Sequence, residues 1–492
     1  MSGKIKSLSD RQLFWQTLFE TKQLAAQLAS LATNHVDGVT YDDLPQYGKV
    51  HVVAQSGSNL GDNFQSDTFI VTARLLRGQS EEPIHVLSTF IKVLPSNFLL
   101  RKSAYESRVH HREVNMYHHL FALLREMHAD QPIPLDVPDC YYTHLEEIVK
   151  GETDGSGTCI LLEDLKSENY RMADKIRGAD YRHCHAALTS LAHYHALTLS
   201  AVRKWKDPST GQLSNMPPVA KFVLEEKSMY DAGIIKILQG FSVSIVNFAK
   251  EMGTPDVVEW LANIQQRMPE IVLIDNLESS GPLACILHGD FWNNNMLFKY
   301  AEQPRHEQKE DGTNNGSDAS ANVPVSLRML DFQLSRIGHP ISDVLYFMYT
   351  STMPELRERH MLVLLRYYFD ILTTDLRLLG ISLDNYTWQD FLQDYKQRSL
   401  MWMLTGVMIL SMTQNKKVVT SLQDLDAEEQ LKEPKPVNAE TEVEPVKGES
   451  GMSLEMEEMY KNMMATYVLS DSPALSDRIL KLILEVKALN HP

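Results

Sequence analysis

The chain has 492 residues, 43% hydrophobic and 23% charged, a balance close to globular norms that excludes a fibrous repeat or general disorder and gives length for two cores. Its formal net charge of −17 is unevenly spread: residues 421–460 hold twelve Asp or Glu against three Lys, and the remainder is only mildly acidic. Without clustered Lys and Arg to meet phosphates, this distribution argues against nucleic acid as a ligand.

The four cysteines, Cys140, Cys159, Cys184 and Cys285, form no CxxC pair, and the start MSGKIKSLSD lacks the apolar run of a signal peptide. No apolar stretch approaches the ~20 residues that cross a bilayer. A cytoplasmic protein without a membrane span is expected, with peripheral association left open.

In chain order, apolar residues at helical spacing (Leu13, Leu18, Leu24, Leu28, Leu31) predict a helical extension over 1–41. Three runs rich in β-branched and aromatic residues follow, KVHVVAQ, DTFIVTARLL and IHVLSTFIKVLP, and predict a small antiparallel sheet. A helical stretch runs from Ala104 to His128. TCILLEDL (158–165) then reads as a buried strand running into a polar break. Beyond Asp180 the pattern is mostly helical, with a few short strands. The expected organisation is an amino-terminal lobe over 42–165 and a helical carboxy-terminal lobe over 166–492. Two polar, turn-rich inserts, 301–324 and 422–453, are expected to be mobile. A nucleotide suits the space between such lobes.

The stretch ILHGDFWNNNMLFKY (286–300), followed after the first insert by VSLRMLDFQLS (325–335), places Asp and Asn on loops flanked by strands. Phosphoryl transfer needs one carboxylate near the attacking hydroxyl and oxygen ligands for Mg²⁺. Asp290 fits the first role; Asn295, five positions on, and Asp331, at a strand end, fit the second. Each alone is a common turn former; it is their combination that carries the reading.

HGDFWNNNMLF and LDFQ resemble the catalytic and metal-binding motifs of the ecdysteroid kinase-like family, also described as choline-kinase-like and related to aminoglycoside and choline kinases. The likeness covers residues 47–369, and the insert at 301–324 accounts for the wide Asp290–Asp331 gap. It implies a bilobal, protein-kinase-like α+β fold and an ATP- and Mg²⁺-dependent phosphotransferase acting on a hydroxyl. HGD and DFQ stand where protein kinases carry HRD and DFG, which favours a small-molecule alcohol over a protein as acceptor.

Further residues can then be assigned. Lys92, on a mostly apolar strand face, needs an anion, and Glu113 in the apolar stripe of the following helix supplies one; the pair would hold the α and β phosphates. Glu106 competes, but an acid near a helix start has its own reason to be there. The loop 55–67 carries Gly57, Asn59, Gly61, Asp62, Asn63, Phe64 and Ser66, the last five matching the family's phosphate-loop pattern G-[DE]-N-[FY]-x-S. Glu163 to Leu165 resembles the connector whose backbone would hydrogen-bond adenine. Asp343 reads as a helix cap or first-turn acid, with a supporting role beneath the catalytic loop implied by the likeness. His288 reads as a brace, and His195, in SLAHYHALTLS, as a packing element. The paired histidines at 110/111, 118/119, 183/185 and 193/195 diverge on a helix and complete no zinc-like spacing.

The family's name points to polyhydroxylated, ecdysteroid-like or xenobiotic alcohols. A choline-type kinase, using Tyr346, Tyr349, Tyr367 and Trp402 around an ammonium group, and a nucleotide-binding pseudokinase docking through its acidic insert are the alternatives.

Overall fold

The computed structural model describes residues 49–56, 66–76, 83–95, 101, 104–105, 107–146, 155, 157–174, 176–224, 234–276, 281–301, 323–415 and 468–490. The expected amino-terminal extension and most of both inserts lie outside them. The described residues fall into two compact units, one up to His118 together with Pro138–Glu168, the other comprising His119–Val137, 169–415 and 468–490.

The first unit is a five-stranded antiparallel sheet in the order β1-β2-β3-β5-β4, from β1 (Lys49–Ser56), β2 (Asp67–Leu76), β3 (Pro83–Val93), β4 (Cys140–His144) and β5 (Cys159–Glu163). The β-branched runs become strands because their side chains fill both faces of a pleated surface: Phe69, Val71, Ile91, Val93 and Ile160 are fully buried. The helical stretch after β3 is less regular than its sequence suggests. Arg108 sits at φ 55°, so the regular helix α1 starts only at Val109 and ends at Asn115; a π-turn over Met116–Leu120 leads into α2 (Phe121–Met127). The predicted stripe is nonetheless intact, with Val109, Glu113, Met116, Leu120 and Leu124 all buried.

The second unit is organised around α3 (Tyr181–Trp205), whose first turn is capped by the Asp180 carboxylate accepting from the N–H groups of Arg182 and His183 at 2.9 and 3.0 Å. Helices α4 (Ile234–Glu251), α5 (Pro255–Gln266) and α6 (Met268–Asn276) follow. Short strands frame the loops between them. β6 (Tyr170–Arg171), β8 (Met296–Tyr300) and β9 (Pro324–Met329) form one antiparallel sheet, and β7 (Cys285–Leu287) pairs with β10 (Arg336–Gly338).

Helix α7 (Ile341–Ser351) is buried along its whole length. It is followed by α8 (Pro354–Leu378), α9 (Trp388–Gln414) and α10 (Pro473–Asn490). The last helix secures the end of α7: Arg478 donates to the carbonyls of Thr350 and Thr352 at 2.9 and 3.1 Å, and Glu485 holds Arg357 at 2.8 Å. Arg357 in turn donates to the carbonyls of Met348 and Thr352. Two guanidinium groups thus satisfy carbonyls that a helix end leaves without partners, and their charge complements the helix dipole.

Candidate active site

In the first unit Lys92 lies on β3, opposite Thr68 of β2 and Ile160 of β5. Its ammonium is 2.7 Å from Oε2 of Glu113, and both side chains are buried. Glu106 lies outside the described residues, as do Gly57, Asn59, Gly61, Asp62, Asn63 and Phe64; of the phosphate-loop residues only Ser66, buried just before β2, is described. The loop joins β1 to β2, whose ends are in register at Ser56 and Phe69.

At the connector, the carbonyl of Glu163 accepts from the N–H of Leu165 at 3.1 Å, and the Glu163 N–H donates to the carbonyl of Asp139. The groups that the family likeness assigns to adenine therefore bond to each other here. Asp164 between them is structural: its carboxylate accepts from the Ser88 hydroxyl at 2.5 Å and from the Lys166 N–H.

In the second unit, β7 delivers His288, Gly289 and Asp290 into a loop that closes through a 3₁₀ turn, Asn293–Asn295, into β8. The Asp290 carboxylate accepts from the Tyr346 hydroxyl at 2.6 Å on Oδ1 and from the Asn295 amide nitrogen at 2.7 Å on Oδ2; the same nitrogen reaches the Asp290 carbonyl at 2.9 Å. Burial, then the nearby charge of Asp331, pushes the Asp290 carboxyl up to about 6 against the opposing pull of those two donors.

Asp331 follows β9 at φ 65°, a left-handed conformation that a non-glycine residue holds only when its surroundings impose it. Leu330 fixes that approach, its N–H donating to the Asn295 carbonyl at 2.9 Å and its carbonyl accepting from Nε2 of His288 at 2.9 Å. Asp290, Asn295 and Asp331 are thus brought together by a few backbone bonds.

Beneath the loop lies Asp343, fully buried on α7. It does not cap its own helix; its carboxylate accepts from the N–H groups of His288 at 2.7 Å and Gly289 at 2.9 Å. His195 of α3 donates to the same carboxylate at 3.0 Å through Nε2, while its Nδ1 accepts from Tyr368 at 2.6 Å. Burial raises the Asp343 carboxyl, but the hydrogen bonds from His195 and from the Gly289 N–H more than reverse this, leaving it below the usual range. His288 donates from Nε2 to Leu330 and accepts the Asp290 N–H on Nδ1 at 3.3 Å, a neutral arrangement that agrees with its burial-lowered pKa. With both nitrogens committed, this ring braces the loop.

Tyr346 is the site residue whose role the sequence reading missed. Its signal was present: it lies three residues after Asp343, hence on the same helix face, and Asp343 points at the loop. Of the aromatic residues considered for an ammonium cage, Tyr346 is itself at the site. Tyr346 and Trp402 pack together with centroids 5.3 Å apart, Tyr349 is fully buried, and Tyr367 bonds Thr189 and stacks on His185. In the second histidine cluster His183 is committed to Asp180 and Tyr300, and His193 to Asp375. Among the described residues no group of three or more His, Cys, Asp or Glu could hold a metal ion, and no helix is long and apolar enough to cross a membrane.

The first unit thus carries a buried Lys–Glu pair beside a small antiparallel sheet, and the second an Asp, Asn and Asp set. The model of the ecdysteroid kinase-like family matches residues 60–309 and 316–381, more than half of the sequence, and the chain belongs to that family. Membership supports a small-molecule kinase. No curated protein sequence matches significantly. Among solved structures, choline kinase from Cryptosporidium parvum Iowa II is similar over 84% of this chain and 94% of its own, at 9% identity and a TM-score of 0.35. The GDP complex of wild-type aminoglycoside 2'-phosphotransferase-IIIa is similar over 83% and 99%, at 10% identity and 0.32. TM-scores this low support no residue-level correspondence.

Proposed function

We propose that the chain is an ATP- and Mg²⁺-dependent kinase that phosphorylates a hydroxyl of an ecdysteroid or a similar polyhydroxylated or xenobiotic alcohol. The observation that carries this reading is the Asp290 carboxylate held from two sides by Tyr346 and Asn295, in a chain of the ecdysteroid kinase-like family. Asp290 orients the acceptor hydroxyl and takes its proton as the oxygen attacks the γ-phosphorus and ADP leaves. Lys92, kept in place by Glu113, meets the α and β phosphates.

The donor set suits a hard cation. Asn295 has its amide nitrogen committed to Asp290, which leaves the amide oxygen as the ligating atom of that side chain, and Asp331 adds a carboxylate. Mg²⁺ bound there would supply neutralisation of phosphate charge. The likeness to the family's motifs supports ATP as the donor, and the four free cysteines support a reducing cytoplasm as the location.

The test is transfer of labelled γ-phosphate from ATP to a panel of ecdysteroids, choline, ethanolamine and hydroxylated xenobiotics, with Asp290→Asn as control. Labelled steroid is expected from the wild type, and a rate on the order of 10²–10⁴-fold lower from the variant. Labelling of choline alone would overturn the acceptor; undiminished transfer by Asp290→Asn would overturn the mechanism.

A further inference from the structure

We propose that Ser351, the last residue of α7, is a positioning residue for Asn295, acting through one hydrogen bond to the backbone of the Asp290 loop. This role presupposes the phosphotransferase reading, in which Asn295 and Asp331 hold Mg²⁺. The 3₁₀ turn Asn293–Asn295 has no cap of its own, since the Trp292 side chain that precedes it supplies none. The first N–H groups of such a turn lack partners within it. The Asn293 N–H donates instead to the Ser351 hydroxyl, 58 positions away, at 3.0 Å, and Asn293 and Ser351 are only 3% and 1% exposed.

That hydroxyl is fixed from behind. Thr350 donates its own hydroxyl proton to the Tyr346 carbonyl at 2.6 Å, so in the 3.1 Å contact between the two hydroxyls Ser351 is the donor, and an Oγ lone pair is left for Asn293. The main chain of Ser351 is held as well. Its carbonyl accepts the Ala179 N–H at 2.7 Å and, more distantly, the Asn293 side-chain amide at 3.4 Å. A Cβ on Gly178 would come within 2.9 Å of the same carbonyl oxygen, so the segment leading into α3 packs directly against it.

The turn carries this fixed point to Asn295 in one step. Asn295 closes the turn by donating its N–H to the Trp292 carbonyl at 2.9 Å, and its side-chain nitrogen donates to Asp290, so the placement of the turn decides where the Asn295 amide oxygen sits. Helix α7 therefore meets the loop at three points: Asp343 under His288 and Gly289, Tyr346 on Asp290, and Ser351 on Asn293. Of these, Ser351 serves the Asn295 end of the loop. Removing a group that orients a metal ligand from behind weakens metal affinity by about 10- to 100-fold.

Ser351→Ala removes the hydroxyl and leaves the carbonyl contacts in place. Titration of the full chain with Mn²⁺ in the presence of a non-hydrolysable ATP analogue, followed by electron paramagnetic resonance, reads the metal site without turnover. Mn²⁺ is expected to bind Ser351→Ala about 10-fold more weakly than the wild type, and Ser351→Cys, whose sulfur is a weaker acceptor, should fall between them. Phosphate transfer by Ser351→Ala, slowed at limiting Mg²⁺, should recover at saturating Mg²⁺. Ser399→Ala is the control: it loses a hydroxyl that is also fully buried and also accepts an N–H, from the side chain of Asn490 at 3.0 Å, but on α9 and facing α10, and its Mn²⁺ affinity should match the wild type. Equal Mn²⁺ affinity of Ser351→Ala and wild type, or an equal loss in Ser351→Ala and Ser399→Ala, would overturn the inference and leave the phosphotransferase reading standing. A wild type that binds no Mn²⁺ with the nucleotide would overturn that reading and the inference with it.

Discussion

The hydroxyl of Tyr346 donates a 2.6 Å hydrogen bond to Oδ1 of Asp290, joining the middle of a buried helix to the carboxylate read as the catalytic base. Its ring is held independently against Trp402, so Tyr346→Phe removes the hydrogen bond and keeps the packing. A hydrogen bond to a charged group contributes about 1.5–3 kcal/mol. The expected result is a kcat reduced by about 10- to 100-fold with an unaltered KM for ATP, and a melting temperature lowered by a few degrees. An unchanged kcat would show that Asn295 alone orients the carboxylate.

Lys92 and Glu113 form a buried ion pair, which costs more to break than to replace. Glu113→Gln leaves a buried ammonium without its anion and is expected to lower unfolding stability by about 3 kcal/mol in urea titration. The double change Lys92→Met with Glu113→Leu should recover most of that stability but no phosphoryl transfer. Equal stability of the single variant and wild type would mean that the charge contact contributes nothing to the fold.

Gly289 stands at φ 85°, and a Cβ placed there would lie 2.0 Å from the Leu334 carbonyl oxygen. The backbone of the Asp290 loop can approach that carbonyl only because the side chain is missing. Gly289→Ala should therefore displace the loop, lowering the melting temperature and abolishing measurable transfer. Gly380→Ala is the control: φ is also positive, 72°, but nothing lies within 4 Å, so only the conformational cost of about 1–2 kcal/mol remains. Similar effects of the two changes would remove the steric argument.

Asp394 gives a pH dependence of stability. Burial would raise its carboxyl, but the hydrogen bond and charge of His339, with Tyr386 and Arg398, hold it down to about 2. The unfolded carboxyl titrates near 3.9. A depressed folded pKa means that the contribution is complete above about pH 4 and is lost as pH falls from there through about 2. Thermal unfolding between pH 6 and pH 2 should show Asp394→Asn less stable than wild type at the upper end, with the difference shrinking towards the lower. A constant difference would exclude this carboxylate as the titrating group.

What was legible in the sequence follows from how local each signal is. The strands at 49–56, 67–76 and 83–93 and the stripe from Val109 to Leu124 are written in residue type and period. The break at Arg108 and the π-turn at 116–120 are not, because no Pro or Gly marks either. Asp290, Asn295 and Asp331 could be proposed as a set from the chemistry of their neighbours in sequence. Asp343 is the first-turn acid of its helix, one of the two readings the sequence offered, but its carboxylate answers to N–H groups 54 and 55 positions away, which only the family likeness implied. His195, read as packing, hydrogen-bonds Asp343 across 148 positions. Such pairings arise only when helix and loop meet in the folded chain.

The arrangement at the end of α7 bears on the order in which the protein is made. The family match stops at residue 381, yet the carbonyls at 350 and 352 are closed by Arg478, and the arginine that reaches those at 348 and 352 is held by Glu485. Chain growth from the ribosome produces Asp290, Asn295 and Asp331 well before either of those two residues exists. A nascent chain can already display every group assigned to phosphoryl transfer while the helix that carries Asp343 and Tyr346 still has an open end. Closure of that helix end therefore comes late in synthesis, when α10 docks.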